Sequence, residues 1–226
     1  MQLRDIVPWG RSFGEYRAMF ALTGADLSGR ILGCADGPAS FNAEATARGA
    51  DVVSVDPIYA LAAEDIERRI AAVRPEIEAG LHAHRERFVW THFDGVDELV
   101  AARLDSMARF LLDYPGPGAS PRYRAARLPD LPFSDGAFDL ALVSHLLFSY
   151  SDHLDANAHR RAAAELMRVA REVRIFPLVD LQARPSPHLE LVCATADAAG
   201  RQHRIDPVDY EFQRGGNRML RLMPPA

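Results

Sequence analysis

Two short apolar runs, joined through a glycine-bearing turn and a helix, set the tightest limit on what this chain can fold into. Residues 30–33 (RILG) end at Gly33 and the turn CADGPA follows. Residues 40–48 read as a helix stopped by Gly49, and residues 51–56 (DVVSVD) end at Asp56. A run rich in Val without sustained polar alternation suits a strand buried on both faces, as in a parallel sheet. An acid at the tip of the second strand accepts hydrogen bonds from two ribose hydroxyls, and small turn residues let the backbone approach a nucleoside.

The chain has 226 residues, 48% apolar and 25% charged, which is ample for a globular core. A net charge of −5 with no basic stripe argues against a nucleic-acid or membrane surface as partner. All 26 basic residues are Arg, so neither a Lys Schiff base nor a Lys phosphate clamp can form. Cys34 and Cys193 are far apart, which suits a reducing compartment rather than a disulfide framework. No stretch approaches the roughly 18 apolar residues of a membrane span. The opening MQLRDIVPWG lacks the apolar centre of a signal peptide, so the expected location is cytoplasmic.

Residues 12–24 read as a helix, with Ser12 as its cap and Glu15 as the capping-box partner. Beyond the second strand, residues 61–73 and 76–88 read as two helices. Residues 96–112 read as a third, with Leu99, Val100, Leu104, Met107 and Leu111 inward. Residues 122–128 make a weak peripheral strand and residues 137–144 (AFDLALVS) a buried one. A helix over 155–170, a fifth strand over 172–178 and a helix over 187–199 follow. Residues 202–213 and 217–223 flank Arg214-Gly215-Gly216, a tight turn of hairpin type. The expected fold class is α/β: a Rossmann-like seven-stranded sheet, mostly parallel with an antiparallel C-terminal hairpin, helices on both faces, and a helical insertion between the second and third strands. The expectation is a single domain over residues 1–226, with residues 1–28 as an N-terminal cap segment and residues 74–121 as the insertion.

Three segments, LGCADGPASF, VVSVDP and LPFSDGAFDLALVSHLLF, resemble the first, second-strand and fourth-strand motifs of class I S-adenosylmethionine-dependent methyltransferases. WGRSFGEY, DGPASFNAE, REVRIFPL and YEFQRGGN resemble a bacterial subgroup of that family. The resemblance implies S-adenosyl-L-methionine as cofactor. It implies that Gly33 and Gly37, with Cys34 between them, bring backbone N–H groups to the methionine portion. Ala35 stands where a middle glycine is usual, and its methyl group tolerates positive φ poorly. Ile31 replaces the usual acid two residues before the first glycine. Asp36 either takes over that acid's role of orienting the methionyl amino group or caps the next helix. Asp56 matches the ribose-binding acid, and Pro57 and Ile58 lie against adenine. Arg127 and Leu128 offer backbone groups to adenine where an acid is usual, and Asp130 is a solvated turn residue or a substitute for it. Arg11 pairs with the methionyl carboxylate. Ser144 and His145 follow the fourth strand, where donor and acceptor meet; His145 is either a general base or only a contact. Phe13, Tyr16, Phe148 and Tyr150 line the acceptor pocket, unless Phe13 and Tyr16 simply pack their helix on the sheet. Asp152 and His153 continue the same rim.

The implied activity is methyl transfer to a small-molecule acceptor by direct displacement, in a monomer or homodimer, with the insertion and N-terminal segment closing over the acceptor. The alternative is a cofactor-binding protein without independent methyl transfer, regulatory or dependent on a partner. A nicotinamide dehydrogenase is a third reading, and the terminal hairpin argues against it. No metal is expected: neither His82, His84 and Glu86 nor His145, Asp152 and His153 has the spacing of a zinc site. A serine hydrolase is excluded by the lack of G-x-S-x-G, and a P-loop by the lack of Lys.

Overall fold

In β1 (Arg30–Cys34) and β2 (Asp51–Val55), every residue after the first is buried, so both faces of these strands must be covered. The computed structural model describes residues 8–225 and shows how. Successive side chains of a strand point to opposite faces. Accordingly Leu32, Val53, Ala141 and Val143 enter one apolar cluster, while Ile31, Val52, Leu140 and Leu142 enter another. The first cluster is closed by α6 (Ala156–Val169) and α7 (Leu189–Ala198). The second is closed by α1 (Phe13–Phe20), which is followed by the single turn α2 (Gly24–Leu27), and by α3 (Phe41–Thr46).

The sheet is completed by β3 (Tyr123–Arg124), β4 (Phe138–Ser144), β5 (Ala170–Phe176), β6 (Gln202–Pro207) and β7 (Arg218–Met223). Among the described residues its order is β3-β2-β1-β4-β5-β7-β6. β1 to β5 pair in parallel, and β7 runs antiparallel to both β5 and β6. This is the Rossmann-like sheet expected from the sequence. The chain runs outward from β1 to β3 and then returns to the other side of β1 as β4. The crevice at the C-terminal ends of β1 and β4 is therefore the topological switch point where open α/β sheets bind ligands.

Several boundaries differ from the sequence reading. The first helix ends at Phe20, because Ala21 turns into the left-handed region at φ 47° and donates back to Arg17. The capping box is present: the Ser12 hydroxyl accepts from the Glu15 N–H, and the Ser12 N–H donates to Glu15 Oε2 at 3.0 Å. The two helices read over 61–73 and 76–88 are one, α4 (Ala63–Ala83), which runs through Pro75. A proline there removes one N–H from the ladder. The continuous buried stripe Ile66, Ile70, Ile77 and Leu81 holds the helix together across it. That stripe packs on α5 (Val96–Asp113) in two apolar clusters. On α5 the buried positions include Arg103, Ser106 and Phe110, while Leu104 and Leu111 are only partly covered. The peripheral strand shortens to β3. The turn at Arg214-Gly215-Gly216 is present, with the Gly216 N–H donating to the Gln213 carbonyl at 2.8 Å, but it lies within residues 208–217, a long connection between β6 and β7. This connection folds back so that Phe212 accepts from the Val89 N–H and Arg87 accepts from the Arg214 N–H.

Phe110 anchors this arrangement, fully buried among Tyr59, Tyr114 and Tyr123 with centroid separations of 5.2–5.8 Å. Truncating such a ring leaves a cavity and costs about 3–5 kcal/mol. Phe110→Ala should lower the urea midpoint accordingly with an unchanged slope; a shift no larger than that of an exposed substitution such as Leu112→Ala would show that α5 is not held this way.

Candidate functional site at the ends of β1 and β4

The turn after β1 is shaped by two residues in the left-handed region, Ala35 at φ 59° and Gly37 at φ 55°. Ala35 adopts the strained conformation despite its methyl group, and its N–H is held by the Val55 carbonyl at 2.8 Å. The turn bends the chain so that Asp36 folds back over Gly33. A Cβ at position 33 would lie 1.8 Å from Asp36 Oδ2, so only glycine admits this carboxylate.

Asp36 is 6% exposed and both oxygens are occupied. The Tyr16 hydroxyl donates to Oδ1 at 2.8 Å, and the Ser54 hydroxyl donates to Oδ2 at 2.5 Å. Ser54 is oriented by Asn42, whose Nδ2 donates to its Oγ at 3.0 Å. Asp36 thus does not cap α3, whose N-cap position is Ser40, with no side-chain bond to the helix backbone. Burial is the largest influence on this carboxyl and pushes it up to about 7, against the two hydroxyl donors.

Asp56 stands at the tip of β2 beside the turn. Its Oδ2 accepts from the Gly37 N–H at 3.0 Å and its Oδ1 from the Ile58 N–H at 2.8 Å. Burial raises it to about 6. Each oxygen keeps a second lone pair. Pro57 opens a one-turn helix and is exposed, whereas Ile58 packs into the cluster around Tyr59, whose hydroxyl donates to the Gly37 carbonyl at 2.7 Å.

The residues before α1 cross this turn. A Cβ at Gly10 would sit 2.0 Å from the Pro38 carbonyl oxygen, so the segment lies directly on the loop. It delivers Arg11 to a group that the sequence reading did not assemble. Arg103, 1% exposed, donates to Glu15 as an ion pair and to the Tyr210 hydroxyl at 3.3 Å, while that hydroxyl donates to Glu15 Oε1 at 2.8 Å. Arg11 feels Arg103, Tyr210, Glu15 and Tyr16. Its Nη1 donates to the Trp9 carbonyl at 3.2 Å, and its Nε has no partner among the described residues. Burial, then the neighbouring Arg103, lowers Arg11 below its ordinary range.

At the end of β4, His145 lies in the left-handed region at φ 52°, with its N–H donating to the Phe176 carbonyl at 2.7 Å. Its Nδ1 is 2.9 Å from Ser144 Oγ. Burial, then the charges of Arg11 and Arg103, hold its pKa well below 6.5, so the ring is neutral near pH 7.

The other candidates fall elsewhere. Phe13 stacks on Phe41 under the Arg48 guanidinium and packs α1 against α3. Phe148 is fully buried in the core against His159 rather than on a rim. Tyr150 is buried with its ring against His153. Cys34 is buried at the end of β1. The Arg127 side chain is exposed and its carbonyl accepts from the Asp130 N–H at 3.0 Å; Leu128 packs onto the core. Asp152 is exposed and faces Arg184. Among the described residues no cluster suits a metal ion, and no helix is long and apolar enough to cross a membrane. Glu15 was legible only as a cap. Arg103 had one signal, a charge on the apolar stripe between Leu99 and Met107.

No family model matches the chain. It is 35% identical over 221 residues to an uncharacterized protein of Methanocaldococcus jannaschii, covering 97% of each. Among solved structures it is similar to magnesium protoporphyrin IX methyltransferase from Synechocystis with bound S-adenosylmethionine, at 10% identity and TM-score 0.49, covering 94% of this chain and 77% of that one. A methyltransferase from Aquifex aeolicus gives 12% identity and TM-score 0.43, with 92% and 90% covered.

Two carboxyls with raised pKa, buried Asp36 and half-buried Asp56, make folding depend on pH. Both bind a proton more tightly folded than unfolded, so their contribution is full below about pH 4 and falls as pH rises towards 7. Asp36→Asn should flatten this decline, by roughly 1.4 kcal/mol for each pH unit removed. Urea unfolding from pH 4 to 8 measures it; an unchanged slope in Asp36→Asn would mean that Asp36 titrates alike in both states.

Proposed function

We propose that this chain, which belongs to one family with the uncharacterized Methanocaldococcus jannaschii protein, is an S-adenosylmethionine-dependent methyltransferase acting on a small molecule. The observation that carries this is the Asp56 carboxylate at the tip of β2, gripped by the Gly37 and Ile58 N–H groups beside the glycine turn at the switch point. The residues present suit the cofactor. Asp56 has lone pairs for two ribose hydroxyls. Pro57 and Ile58 follow it at the edge where adenine would lie. Arg11, with its unpartnered Nε, suits the methionyl carboxylate. When bound, the cofactor supplies a methyl group on a positive sulfur, which leaves as a neutral thioether.

The chain's own task is alignment, exclusion of water and removal of a proton from the acceptor. The N-terminal segment laid across the turn and α5 with Arg103 cover the site. His145, neutral and at the end of β4, is the base: a neutral imidazole has a lone pair to offer, and an imidazolium has none. The acceptor would meet His145 beside the charges of Arg11 and Arg103.

Titration calorimetry with S-adenosylmethionine and its demethylated product tests the reading. Removing a charge-assisted bond costs about 1.5–3 kcal/mol, so Asp56→Asn should weaken both ligands roughly ten- to a hundredfold. Because ribose hydroxyls favour the ionised acid, wild-type affinity should rise as pH passes upward through about 6. Absence of binding by either ligand would remove the cofactor assignment, and equal binding by Asp56→Asn would remove the role of Asp56.

A further inference from the structure

We propose that the free edge of β6 is where a second copy of this chain docks, strand to strand and antiparallel, about a two-fold axis at Ile205. The protein is then a reversible homodimer.

The edge is bare, and its outward groups are defined. β6 ends the sheet and pairs only with β7. The register sets His203 opposite Leu222 and Ile205 opposite Leu220. It continues without a bulge to Val208, whose N–H donates to the Asn217 carbonyl at 3.0 Å. Successive residues of an antiparallel strand turn their N–H and C=O groups alternately towards and away from a given neighbour. Val208 faces β7, so Asp206 and Arg204 do too, and the backbone groups of Pro207, Ile205 and His203 point outward. Among the described residues no backbone hydrogen bond reaches that side of β6. Such a row of unpaired groups is a template for another strand.

The side chains also stand clear of the body. Five of the six residues of β6 are exposed, so neither face of the strand is covered. Residues directly opposite each other in a sheet share a face. Ile205 therefore lies with Leu220 on the side of α6 and α7, where His203 meets Asp197 of α7 at 3.0 Å. At 39% exposure, Ile205 is one of two large apolar side chains left exposed among the described residues. Arg204 and Asp206 lie on the other face. There they pair with each other at 2.6 Å, and Asp206 reaches Arg221 at 3.5 Å.

A second copy fits this edge in one register. With the axis at residue 204, Arg204 would oppose Arg204 of the copy. With the axis at 206, Asp206 would oppose Asp206. An axis at 207 would bring together two prolines, which have no N–H to donate. An axis at 203 would set Ile205 against Arg201, whose N–H is already given to the Ala196 carbonyl at 2.9 Å. With the axis at 205, Arg204 of each chain opposes Asp206 of the other, and Ile205 packs on Ile205. The Ile205 N–H and C=O then bond across the axis in both directions. Each His203 N–H reaches the Pro207 carbonyl of the copy, and the ladder stops there. Charges and Pro also guard edges against pairing. A guard works by opposing like charges, whereas the order Arg204-Ile205-Asp206 is its own complement when reversed, as an isologous interface requires. One strand edge buries little surface, so the dimer is weak and reversible.

Sedimentation of the full chain over a concentration series should show the mass rising from one chain towards two. Arg204→Asp sets acid against acid at both charged positions, and Asp206→Arg sets base against base. Each alone should weaken association about tenfold or more. Mixing the two variants restores an acid opposite a base at every such position. The mixture should therefore associate like the wild type, which a misfolded variant could not do. In the wild type, amide exchange at His203 and Ile205 should slow as concentration rises, while Arg204 and Asp206, turned to β7, stay unchanged. A mass of one chain at every soluble concentration would overturn the pairing. So would association indifferent to both substitutions, variants that fail to rescue each other, or exchange at Ile205 that does not respond to concentration.

Discussion

The Asp36 carboxylate occupies the space that a side chain at position 33 would need, and much of the site depends on that exchange. Burying an ionised carboxyl without partners costs several kcal/mol. Here two hydroxyls, from Tyr16 on α1 and Ser54 on β2, donate to it, and Asn42 on α3 donates to Ser54 in turn. One buried acid therefore ties three elements to the tip of β1. The same turn presents the Gly37 N–H to Asp56, so the second acid is positioned by the geometry that accommodates the first. Ala35, held at φ 59°, shows how strongly the surroundings determine this backbone.

A second set of charges closes the site from above. Glu15 serves as capping-box partner of Ser12, ion-pair partner of Arg103 and acceptor from Tyr210. It thereby joins α1, α5 and the β6–β7 connection, segments that are far apart in sequence. Burial tends to raise Glu15, but Arg103 holds it below the ordinary carboxylate range, so it stays ionised. Arg11 lies beside this pair without a carboxylate of its own among the described residues. Within this group of Arg11, Arg103 and Glu15 there is one more cation than carboxylate, which favours an anion beside Arg11.

The sheet was legible in the sequence because buried parallel strands are continuous apolar runs, and Val52, Val53, Ala141 and Val143 identify themselves that way. The place of Asp56 at the tip of β2 and the Ser12–Glu15 capping box were legible because each follows from the local sequence alone. What could not be read depends on packing between distant segments. Pro75 read as a helix end, because the stripe that carries α4 through it is stabilised by α5. Phe13 and Phe148 read as pocket residues because sequence order places them near the site but cannot tell which way a ring faces. Arg103, Tyr210 and Ser54 were missed because their partners lie 88, 195 and 18 positions away.

The absence of Lys acquires a physical meaning at this site. A buried ammonium beside another cation sheds its proton readily, and Lys in such places shifts far towards neutrality. A guanidinium does not. Arg103 is buried and Arg11 half-buried, close enough to repel, yet with ordinary values so high both remain charged near pH 7. Their fixed charge in turn makes an imidazolium at His145 unfavourable, leaving the ring neutral and basic. The carboxyls pushed towards neutral pH are Asp36, to about 7, and Asp56, to about 6, and the Tyr16 hydroxyl donates to the first of them.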